Sequence, residues 1–428
     1  MIFKVSPGNA NGSTNIPASK SHSIRAIAFA SLSEGESIIS NLLDSNDSNS
    51  ALKVYQSFGA KISKDKENIK IQGFNGKPKV PNSLINVGNS GTTCRIALGT
   101  AALLDNQYAD FDGDSQTRNR PMGPLLYALK NLGANIKNET QSGNLPISIG
   151  GPWTGGSTKV DGITSQFTTS LLINAPFGLD NTYIEPFNLN EKPYVEMTLW
   201  WLDKLGLNFS HDNLDKFKIP GGQTLKSFEI SVPADFSSAA FLAAAGALPG
   251  GNVRLSGLDF TDPQGDKNFF EILDSMGAKI MNHDDGSIQV TGNKLLGGEF
   301  DLNDTPDLLP ILSILGAFAE GETRIVNVPQ ARIKETDRIS SMRTVIEDLG
   351  GRAKESEDGL TIYGEGLSGG KTTGFSDHRI VMSCAIAGIA SKNPVEVDTA
   401  EAVSITFPNF TDKMQDINVS IQTQNKWD

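Results

Sequence analysis

The chain of 428 residues repeats one helix ending, a large apolar residue followed by glycine, at nearly constant intervals. The glycines of this ending are Gly59, Gly133, Gly206, Gly277 and Gly350, so the successive spacings are 74, 73, 71 and 73 residues. Six short strand patterns recur in step with it, namely SIISNL, ADFDGD, TYIEPF, VRLSGL, TRIVNV and VEVDTA. A unit of this size buries its apolar face only by packing on its neighbours. The period therefore predicts six repeated units, divided into two domains of three.

Strand patterns alternate with helical patterns along the chain, which indicates an α/β protein. Several helices are apolar on every side, such as AAFLAAAGAL and LLPILSILGAFA, and such helices are typically buried with sheets outside them. Prolines interrupt the chain beside helix starts at Pro17 and Pro233. We expect two crossings between domains there, with the first strand in the C-terminal half. The predicted domains are 1–18 plus 234–428 and 19–233, and two crossings permit hinge closure over a ligand.

Composition argues against several classes of function. The net charge of −12 argues against nucleic acid, because binding it requires a basic surface. No apolar run is long enough to span a bilayer and the start, MIFKVSPGNANGS, lacks a signal peptide, so we expect a cytosolic protein without a membrane partner. The 2 cysteines and 4 histidines show neither disulfide nor metal-ligand spacing. No GxGxxG follows a strand, so a dinucleotide is not indicated. We expect no metal and no other cofactor.

Basic residues lie repeatedly at predicted helix starts, where the helix dipole disfavours positive charge. One such residue is usually only a solvated side chain, but six helix starts share the feature. An economical explanation is a set of anionic ligands, phosphates or carboxylates, held by helix N-termini together with cations. The residues are Lys20, Arg25, Arg95, Arg118, Arg120, Lys192, Lys334, Arg338, His378 and Arg379.

Polar and acidic residues accompany these cations. A glycine-rich turn at 88–93 and the Thr164-Ser165-Gln166 segment offer N–H groups, hydroxyls and an amide, although each is also explained as an ordinary helix cap. The acids Asp307, Glu335 and Asp377 are candidate proton-transfer groups. Neighbouring cations lower the pKa of a carboxyl and burial raises it, so the sequence leaves their pKa open. A nucleophilic Cys94 is disfavoured because no general base accompanies it.

Several segments together resemble the EPSP synthase (3-phosphoshikimate 1-carboxyvinyltransferase) family over essentially the whole chain. The resemblance implies a two-domain inside-out α/β barrel, with three βαβαββ units in each domain, helices buried, sheets outside and the site in the cleft between domains. The segments are Ser19-Lys20-Ser21 with Arg25, Gly88-Asn89-Ser90-Gly91-Thr92, Arg118-Asn119-Arg120-Pro121-Met122-Gly123, Ser165-Gln166-Phe167, Lys192-Pro193-Tyr194, Thr305-Pro306-Asp307, Arg332-Ile333-Lys334-Glu335-Thr336-Asp337-Arg338 and Asp377-His378-Arg379.

The activity implied by this resemblance is transfer of the enolpyruvyl group of phosphoenolpyruvate to the 5-hydroxyl of shikimate 3-phosphate. The products are 5-enolpyruvylshikimate 3-phosphate and phosphate, formed by addition and elimination without a metal, in aromatic amino acid biosynthesis. We expect these small molecules to be the partners of a monomer. The two substrates carry two phosphates and two carboxylates, which explains why so many cations are needed.

Residue roles are carried over from the family by motif position. Asp307 is expected to take the proton of the 5-hydroxyl, Glu335 to protonate the methylene carbon, Lys20 to shuttle charge and His378 to support the phosphate end. The residues expected to bind shikimate 3-phosphate are Lys20, Ser21, Arg25, Thr164, Ser165, Gln166, Tyr194, Asp307, Gln330 and Lys334. The residues expected to bind phosphoenolpyruvate are Lys20, Gly91, Arg120, Gln166, Arg338 and Arg379.

The chain departs from the family pattern at three positions. Glu191 stands where many members have serine, so either its carboxylate turns outward or a hydroxyl contact to phosphate is lost. Ile96 replaces a common proline, and Ile405 stands where many members have a lysine for the donor. Loss of that lysine weakens donor binding or shifts it to Arg338 and Arg379. The response to glyphosate, which competes at the donor site in this family, is left open.

Two alternatives remain. The sister enolpyruvyl transferase acting on UDP-N-acetylglucosamine has the same fold and donor, but it typically has Lys-Asn near its start and Lys20 is followed here by Ser21. The other alternative is a non-catalytic anion-binding protein on this fold. Retention of Asp307 and Glu335 argues against it, because binding an anion does not require acids beside the cations.

Overall fold

The computed structural model describes residues 1–137 and 143–425. The chain divides into two compact units, each with its own sheets and core. Unit 1 comprises Met1–Ser19 and Pro233–Asp428, and unit 2 comprises Lys20–Val232. Unit 1 begins with strands β1 (Ile2–Val5) and β2 (Asn11–Asn15).

Unit 2 follows as three successive repeats and a final strand. The first repeat contains α1 (Lys20–Leu32), β3 (Glu36–Ser40), α2 (Asn46–Ser57), β4 (Lys61–Asp65) and β5 (Asn68–Gln72). The second contains β6 (Ile85–Asn86), α3 (Gly91–Ala101), β7 (Tyr108–Asp112), α4 (Ser115–Asn119), α5 (Gly123–Asn131), β8 (Asn135–Lys137) and β9 (Ile147–Gly150). The third contains β10 (Gly156–Asp161), α6 (Ser165–Asn174), β11 (Thr182–Phe187), α7 (Lys192–Lys204), β12 (Ser210–Asp212) and β13 (Lys216–Ile219), and β14 (Glu229–Ser231) ends the unit.

The remainder of unit 1 has the same succession of elements. Its first repeat contains α8 (Phe236–Ala247), β15 (Asn252–Ser256), α9 (Phe269–Ser275), β16 (Lys279–Asn282) and β17 (Ile288–Thr291). The second contains β18 (Glu299–Asp301), α10 (Leu309–Phe318), β19 (Glu322–Val326), α11 (Arg338–Asp348), β20 (Arg352–Glu355) and β21 (Leu360–Tyr363). The third contains β22 (Gly370–Thr372), α12 (His378–Ala390), β23 (Val395–Val397), α13 (Phe410–Asp416) and β24 (Ile421–Gln424).

Within the described residues the strands form six four-stranded sheets of one topology. In the sheet β18-β19-β21-β20, for example, β18 and β19 are parallel, whereas β21 is antiparallel to both β19 and β20. The parallel pair is joined through a helix and the second helix leads into the hairpin, which gives the βαβαββ unit. This result confirms the six-fold repeat.

Three of the six sheets are completed by distant strands. In unit 1, β2 lies parallel to β15 and β1 lies between β23 and β24, with Lys4 opposite Glu396 and Gln422. Both N-terminal strands therefore belong with the C-terminal half, and both lie within the range 1–18 that the sequence analysis assigned to that half. In unit 2, β14 completes the first sheet by pairing with β3, a swap that the repeat pattern did not predict.

The helices form the interior of each unit. In unit 1, α8, α10 and α12 pack on one another, and every residue of α8 is buried. In unit 2, α1 is buried except at Lys20 and Ser21, and α6 is buried except at Gln166. The only solvent-accessible positions of these two core helices are thus residues expected to bind ligands. No helix of the described residues is both long and apolar enough to cross a membrane.

The repeated helix ending is a left-handed cap. Gly59 has a φ of 104°, its N–H donates to Gln56, and the following N–H of Ala60 donates to Tyr55. This pattern satisfies the last carbonyls of the helix and suits glycine, which lacks a Cβ. The sixth copy of this helix ending has Asn418 in place of glycine, with a φ of 60° and a hydrogen bond from its N–H to the carbonyl of Gln415. A sequence pattern defined by glycine alone does not include this copy.

Candidate active site

A buried arginine at the first position of α11 holds three carboxylates in unit 1. Arg338 donates from Nε to Asp377 (2.8 Å), from Nη1 to Asp307 (2.7 Å) and from Nη2 to Glu335 (2.6 Å). Burial alone would lower the pKa of the guanidinium, but the carboxylates outweigh it and raise the pKa. A cation in the first turn opposes the helix dipole, and these carboxylates compensate for it. The structure thus brings together Asp307, Glu335 and Arg338.

Asp307 is shared between two arginines. It lies in the 3-10 turn Pro306–Leu308 that leads into α10. Its Oδ1 accepts from Arg338 and its Oδ2 lies 2.8 Å from Nη2 of Arg379. Burial alone would raise the pKa of this carboxyl, but the charges of Arg379, Lys334 and Arg338 hold it well below its usual range. At Asp307, the effect of the cations on the pKa therefore outweighs that of burial, a balance that the sequence left open.

The start of α12 is fixed by Asp377. Its side chain caps the helix by accepting from the N–H of Arg379 at 2.9 Å, and it also binds Arg338. Asp377 is therefore a positioning residue that connects the starts of α11 and α12. His378 is 1% exposed, and its Nδ1 lies 3.8 Å from Oδ1 of Asp377, which is beyond hydrogen-bonding distance.

Gln330 and Lys334 lie in the segment just before α11. Gln330 is in the 3-10 turn Pro329–Ile333 and is 1% exposed. Its Nε2 donates to the carbonyl of Asn303 at 2.7 Å, whereas its buried Oε1 has no hydrogen-bond partner among the described residues. A buried acceptor without a donor is uncommon in proteins and is suited to receive a ligand hydroxyl. Lys334 lies near enough to Asp307 to lower the pKa of that carboxyl.

One acid near this cluster was missed by the sequence reasoning. Asp266 lies in the 3-10 turn Gly265–Asn268, is 2% exposed and accepts a hydrogen bond from the hydroxyl of Ser237. Burial, and next the charge of Asp307, raises its pKa to about 7. The signal in the sequence is an acid in the short polar segment before the apolar residues that begin α9. That signal is weak, because most such acids are exposed.

In unit 2, Lys20 and Arg25 lie on the first two turns of α1. Nζ of Lys20 lies 3.4 Å from a carboxylate oxygen of Asp47. Arg25 is 2% exposed and donates to the hydroxyl of Thr198 and to the carbonyls of Ser21 and Tyr194. Burial lowers the pKa of Arg25 to about 10, so the side chain stays charged at neutral pH. These bonds hold Arg25 firmly beside Ser21 and Tyr194.

The start of α3 is shaped by the close approach of Arg120. A Cβ added to Gly91 would lie 2.5 Å from Nη1 of Arg120, so a larger residue would displace the guanidinium. Nη2 of Arg120 donates to Asn89 at 3.3 Å. Pro121, which by residue type suits the first position of a helix, lies before the helix here. The next helix, α5, begins at Gly123, and Pro124 takes the early helical position.

Gln166 is oriented by an arginine of the neighbouring helix. Nη1 of Arg95 donates to its Oε1 at 2.6 Å, and Nη2 of Arg95 donates to the carbonyl of Pro121. Because the amide oxygen is taken by Arg95, the amide nitrogen is the group that remains to donate to an oxyanion. Arg95 thus positions Gln166.

The N-terminus of α6 is in contact with Glu191. Thr164 caps this helix by accepting from the N–H of Gln166. The Oε2 of Glu191 accepts from the hydroxyl of Thr164 (3.2 Å) and from the N–H (3.1 Å) and hydroxyl (2.7 Å) of Ser165. The carboxylate of Glu191 therefore turns inward, which decides between the two alternatives left by the sequence.

Three other sequence candidates lie apart from these clusters or lack charge. Burial raises the pKa of the Cys94 thiol to about 12, which disfavours a nucleophilic role. Arg118 donates two hydrogen bonds to Asp112, and the arginine side chain is 53% exposed, so the two residues form a surface ion pair. Ile405 is buried at the end of the 3-10 helix Ala400–Ile405. Among the described residues no cluster of His, Cys, Asp or Glu has the arrangement of a metal site.

Comparison with known proteins identifies the family. The family model described as EPSP synthase (3-phosphoshikimate 1-carboxyvinyltransferase) matches residues 5–414. The chain is 47% identical over 423 residues to the 3-phosphoshikimate 1-carboxyvinyltransferase of Acetivibrio thermocellus, which covers 99% of this chain and 100% of that one. It is 44% identical to the protein of the same name from Ruminiclostridium cellulolyticum, with 99% and 100% covered.

A solved structure has the same fold. The EPSP synthase of Acinetobacter baumannii superimposes with a TM-score of 0.82 at 27% sequence identity, covering 99% of this chain and 100% of that chain. This match confirms the expected EPSP synthase-like α/β fold. Sequence and fold agree over nearly the full length, and the chain belongs to the EPSP synthase (3-phosphoshikimate 1-carboxyvinyltransferase) family.

Proposed function

We propose that this chain transfers the enolpyruvyl group of phosphoenolpyruvate to the 5-hydroxyl of shikimate 3-phosphate and releases phosphate. The observation that carries the proposal is the Asp307 carboxylate bound by Arg338 and Arg379, with Glu335 on the same guanidinium as Asp307. An anion-binding protein needs only the cations. Two acids held among cations, in a chain with full-length relatives of this name, support proton transfer next to anionic substrates.

The donor is proposed to be held by guanidinium groups of both units. Arg338 and Arg379 in unit 1 and Arg120 in unit 2 bind the carboxylate and phosphate of phosphoenolpyruvate, since guanidinium matches both groups with paired hydrogen bonds. Gln166 donates from its amide nitrogen, because Arg95 already takes its oxygen. Gly91 leaves room for Arg120. Lys20 adds a further cation.

The acceptor is proposed to be held mainly by unit 2. Lys20, Ser21, Arg25 and Tyr194 are joined through α1 and the bonds of Arg25, and Thr164, Ser165 and Gln166 lie at the start of α6. From unit 1, Lys334 supplies charge and the buried Oε1 of Gln330 accepts from a substrate hydroxyl.

The proposed chemistry is addition followed by elimination. Asp307 takes the proton of the 5-hydroxyl while the oxygen of that hydroxyl attacks C2 of phosphoenolpyruvate. Glu335 gives a proton to C3. A proton then returns from C3 to the Glu335 carboxylate, and the bond from C2 to the phosphate oxygen breaks. The leaving phosphate takes the proton held by Asp307, so that the enol ether and phosphate remain and both acids regain their starting states. Proton transfer by such groups contributes roughly 10²–10⁴-fold in rate. Lys20 balances charge during both steps, and His378 supports the α12 side of the donor's phosphate.

The decisive experiment measures release of inorganic phosphate from phosphoenolpyruvate with shikimate 3-phosphate as acceptor. We expect release that depends on both substrates and persists with a chelator present. UDP-N-acetylglucosamine serves as the competing acceptor. Release with that acceptor, and none with shikimate 3-phosphate, would assign the chain to the sister reaction. Binding of both substrates without any release would identify an anion-binding protein instead.

We also propose that the protein is a monomer that acts in the cytosol, with shikimate 3-phosphate and phosphoenolpyruvate as its partners. Each unit has its own core, and no contact with a second copy is needed to complete a sheet of the described residues. Light scattering on the purified protein tests the monomer. A mass of two chains at working concentration would contradict it.

A further inference from the structure

The N-terminus of α6 is an oxyanion site made of a backbone N–H and two hydroxyls. Ser165 supplies its N–H and hydroxyl and Thr164 supplies a second hydroxyl, all directed at one point. The helix dipole adds a favourable potential for negative charge at this end. Thr164 and Ser165 are among the residues proposed to bind the acceptor, and these three donors suit its phosphate group.

A carboxylate of the chain itself occupies that point. Oε2 of Glu191 is the common acceptor of the three hydrogen bonds, and Glu191 is only 1% exposed. A phosphate oxygen and this carboxylate oxygen require the same donors. They also carry the same sign of charge, and repulsion between like charges is strong where water is excluded.

The backbone at Glu191 directs its side chain to the start of α6 and not to α7. Glu191 is the residue before α7 and has a left-handed conformation, with φ of 56° and ψ of 42°, which is unfavourable for a residue with a side chain. Its side chain makes no capping bond to α7. By contrast Asp235, Asp337 and Asp377 each cap the helix that they precede. The side chain of Glu191 is instead used to bind the neighbouring helix.

We propose that Glu191 occupies the phosphate position of the acceptor site in the free protein and thereby sets the affinity and selectivity for that phosphate. The inference rests on the proposed function, since it takes the acceptor from there. The acceptor's phosphate must displace the carboxylate from Thr164 and Ser165. The rest of the acceptor is bound elsewhere and does not compete with Glu191. Discrimination in favour of the phosphorylated acceptor is therefore reduced by Glu191.

The test is calorimetric titration with shikimate 3-phosphate and, separately, with unphosphorylated shikimate. For Glu191→Ser we expect binding of shikimate 3-phosphate to tighten by about tenfold or more, because the competing charge is gone. Binding of shikimate should change by less than about twofold. Glu191→Gln, which keeps the shape but removes the charge, should fall between the wild type and Glu191→Ser. The control is Glu196→Ser, which removes an exposed carboxylate from the same helix and should leave both affinities unchanged.

Equal or weaker binding of shikimate 3-phosphate by a folded Glu191→Ser protein would overturn the inference, and so would tightening by the same factor for both ligands. Titration requires no turnover, so it is separate from the phosphate-release assay. Tighter binding by the variant without phosphate release in either protein would uphold the role of Glu191 while the proposed function fails. Phosphate release with unchanged binding would do the reverse.

Discussion

Oδ2 of Asp307 lies 2.8 Å from Nη2 of Arg379, so the proposed base is neutralised by a residue proposed to bind the donor. Its other oxygen is bound by Arg338, the second proposed donor ligand. A carboxylate bound in this way is a weak base, because its pKa lies well below the usual range. In the proposed function, phosphoenolpyruvate competes for both guanidinium groups and brings negative charge of its own. We expect both effects to raise the pKa of Asp307, so that the donor itself strengthens the base.

Comparison of pH profiles tests this relationship. The profile of kcat/KM reports the free enzyme and that of kcat reports the substrate complex. We expect the acid limb of the kcat profile to lie at a higher pH than the acid limb of the kcat/KM profile for phosphoenolpyruvate. Coincident acid limbs would show that donor binding leaves the pKa of Asp307 unchanged.

Substitution of the base should separate catalysis from donor binding. Asp307→Asn keeps the shape of the side chain but cannot take the 5-hydroxyl proton, so we expect kcat to fall by roughly 10²–10⁴-fold. Direct titration with phosphoenolpyruvate should show equal or tighter binding, because the two arginines lose a competing charge. Asp274→Asn removes an exposed acid of unit 1 and serves as the control. A kcat within about threefold of the wild type would remove Asp307 from the proton transfer.

The buried Asp266 should make the protein less stable as pH rises. Burial, and next the charge of Asp307, raises its pKa to about 7, whereas an unfolded aspartate has a pKa of about 3.9. The folded state therefore holds a proton that the unfolded state has lost, and the stability present below about pH 4 is lost as pH rises to about 7. We expect urea unfolding of the wild type to show a loss of about 4 kcal/mol over this range from this group, at about 1.36 kcal/mol for each pKa unit.

Asp266→Asn should remove that pH dependence, because an amide does not titrate. The measured quantity is the difference in the free energy of unfolding between about pH 5 and about pH 8, compared with the same difference for the Asp274→Asn control. Absolute stability is not the criterion, since the amide also alters the bond from Ser237. Identical pH dependence in wild type and Asp266→Asn would contradict the raised pKa.

Arg338→Lys should be far from conservative. A lysine ammonium cannot reach Asp307, Glu335 and Asp377 with the fixed fork of donors that arginine provides. Leaving buried carboxylates without partners should lower the free energy of unfolding by about 3 kcal/mol or more. The control is Arg343→Lys on the same helix, where the arginine side chain is 35% exposed and pairs with Glu347. We expect that change to shift the urea midpoint little, and similar shifts for both variants would refute the argument.

Ile405→Lys tests whether a missing cation limits donor binding. Ile405 ends a 3-10 helix in unit 1 at the position where many family members have lysine. We expect the added ammonium to tighten binding of phosphoenolpyruvate by about tenfold, since it supplies a further partner for an anion. Glyphosate should then inhibit the variant at a lower concentration than the wild type. The matched change Val403→Lys, two residues earlier, should tighten neither ligand. Equal affinities in wild type and Ile405→Lys would show that Arg338 and Arg379 already suffice.

The repeated architecture could be predicted because each copy leaves a local signal. The glycine after each helix is required by a positive φ at one position, and that requirement is visible in the sequence. The strand exchanges could not be predicted in the same way. Pairing of β14 with β3, or of β2 with β15, depends on where the chain returns after many residues, and no periodic signal records it. The glycine pattern did not predict Asn418, because asparagine as well as glycine adopts the left-handed conformation that ends the helix.

The candidate site shows a similar division. Cations such as Lys20, Arg338 and Arg379 stand out because they oppose the helix dipole, which is a local rule. The raised pKa of Asp266 and the inward turn of Glu191 depend on packing between distant segments. The residue type of an acid does not indicate whether its side chain is exposed or buried. The family motif marks Glu191 as unusual, but only the tertiary structure shows that its side chain is buried whereas that of Glu196 on α7 is exposed.

The placement of β1 has a consequence for synthesis. Phe3 pairs with Val397 and Thr423, so this strand has no partners until residues near the other end of the chain have left the ribosome. Residues 20–232 meanwhile contain all the strands of their own three sheets and are translated before residues 233–428. Unit 2 can therefore fold during translation, while β1 and β2 wait with unpaired edges that are prone to aggregation. A chaperone that acts on this nascent chain should engage its earliest residues for the longest time.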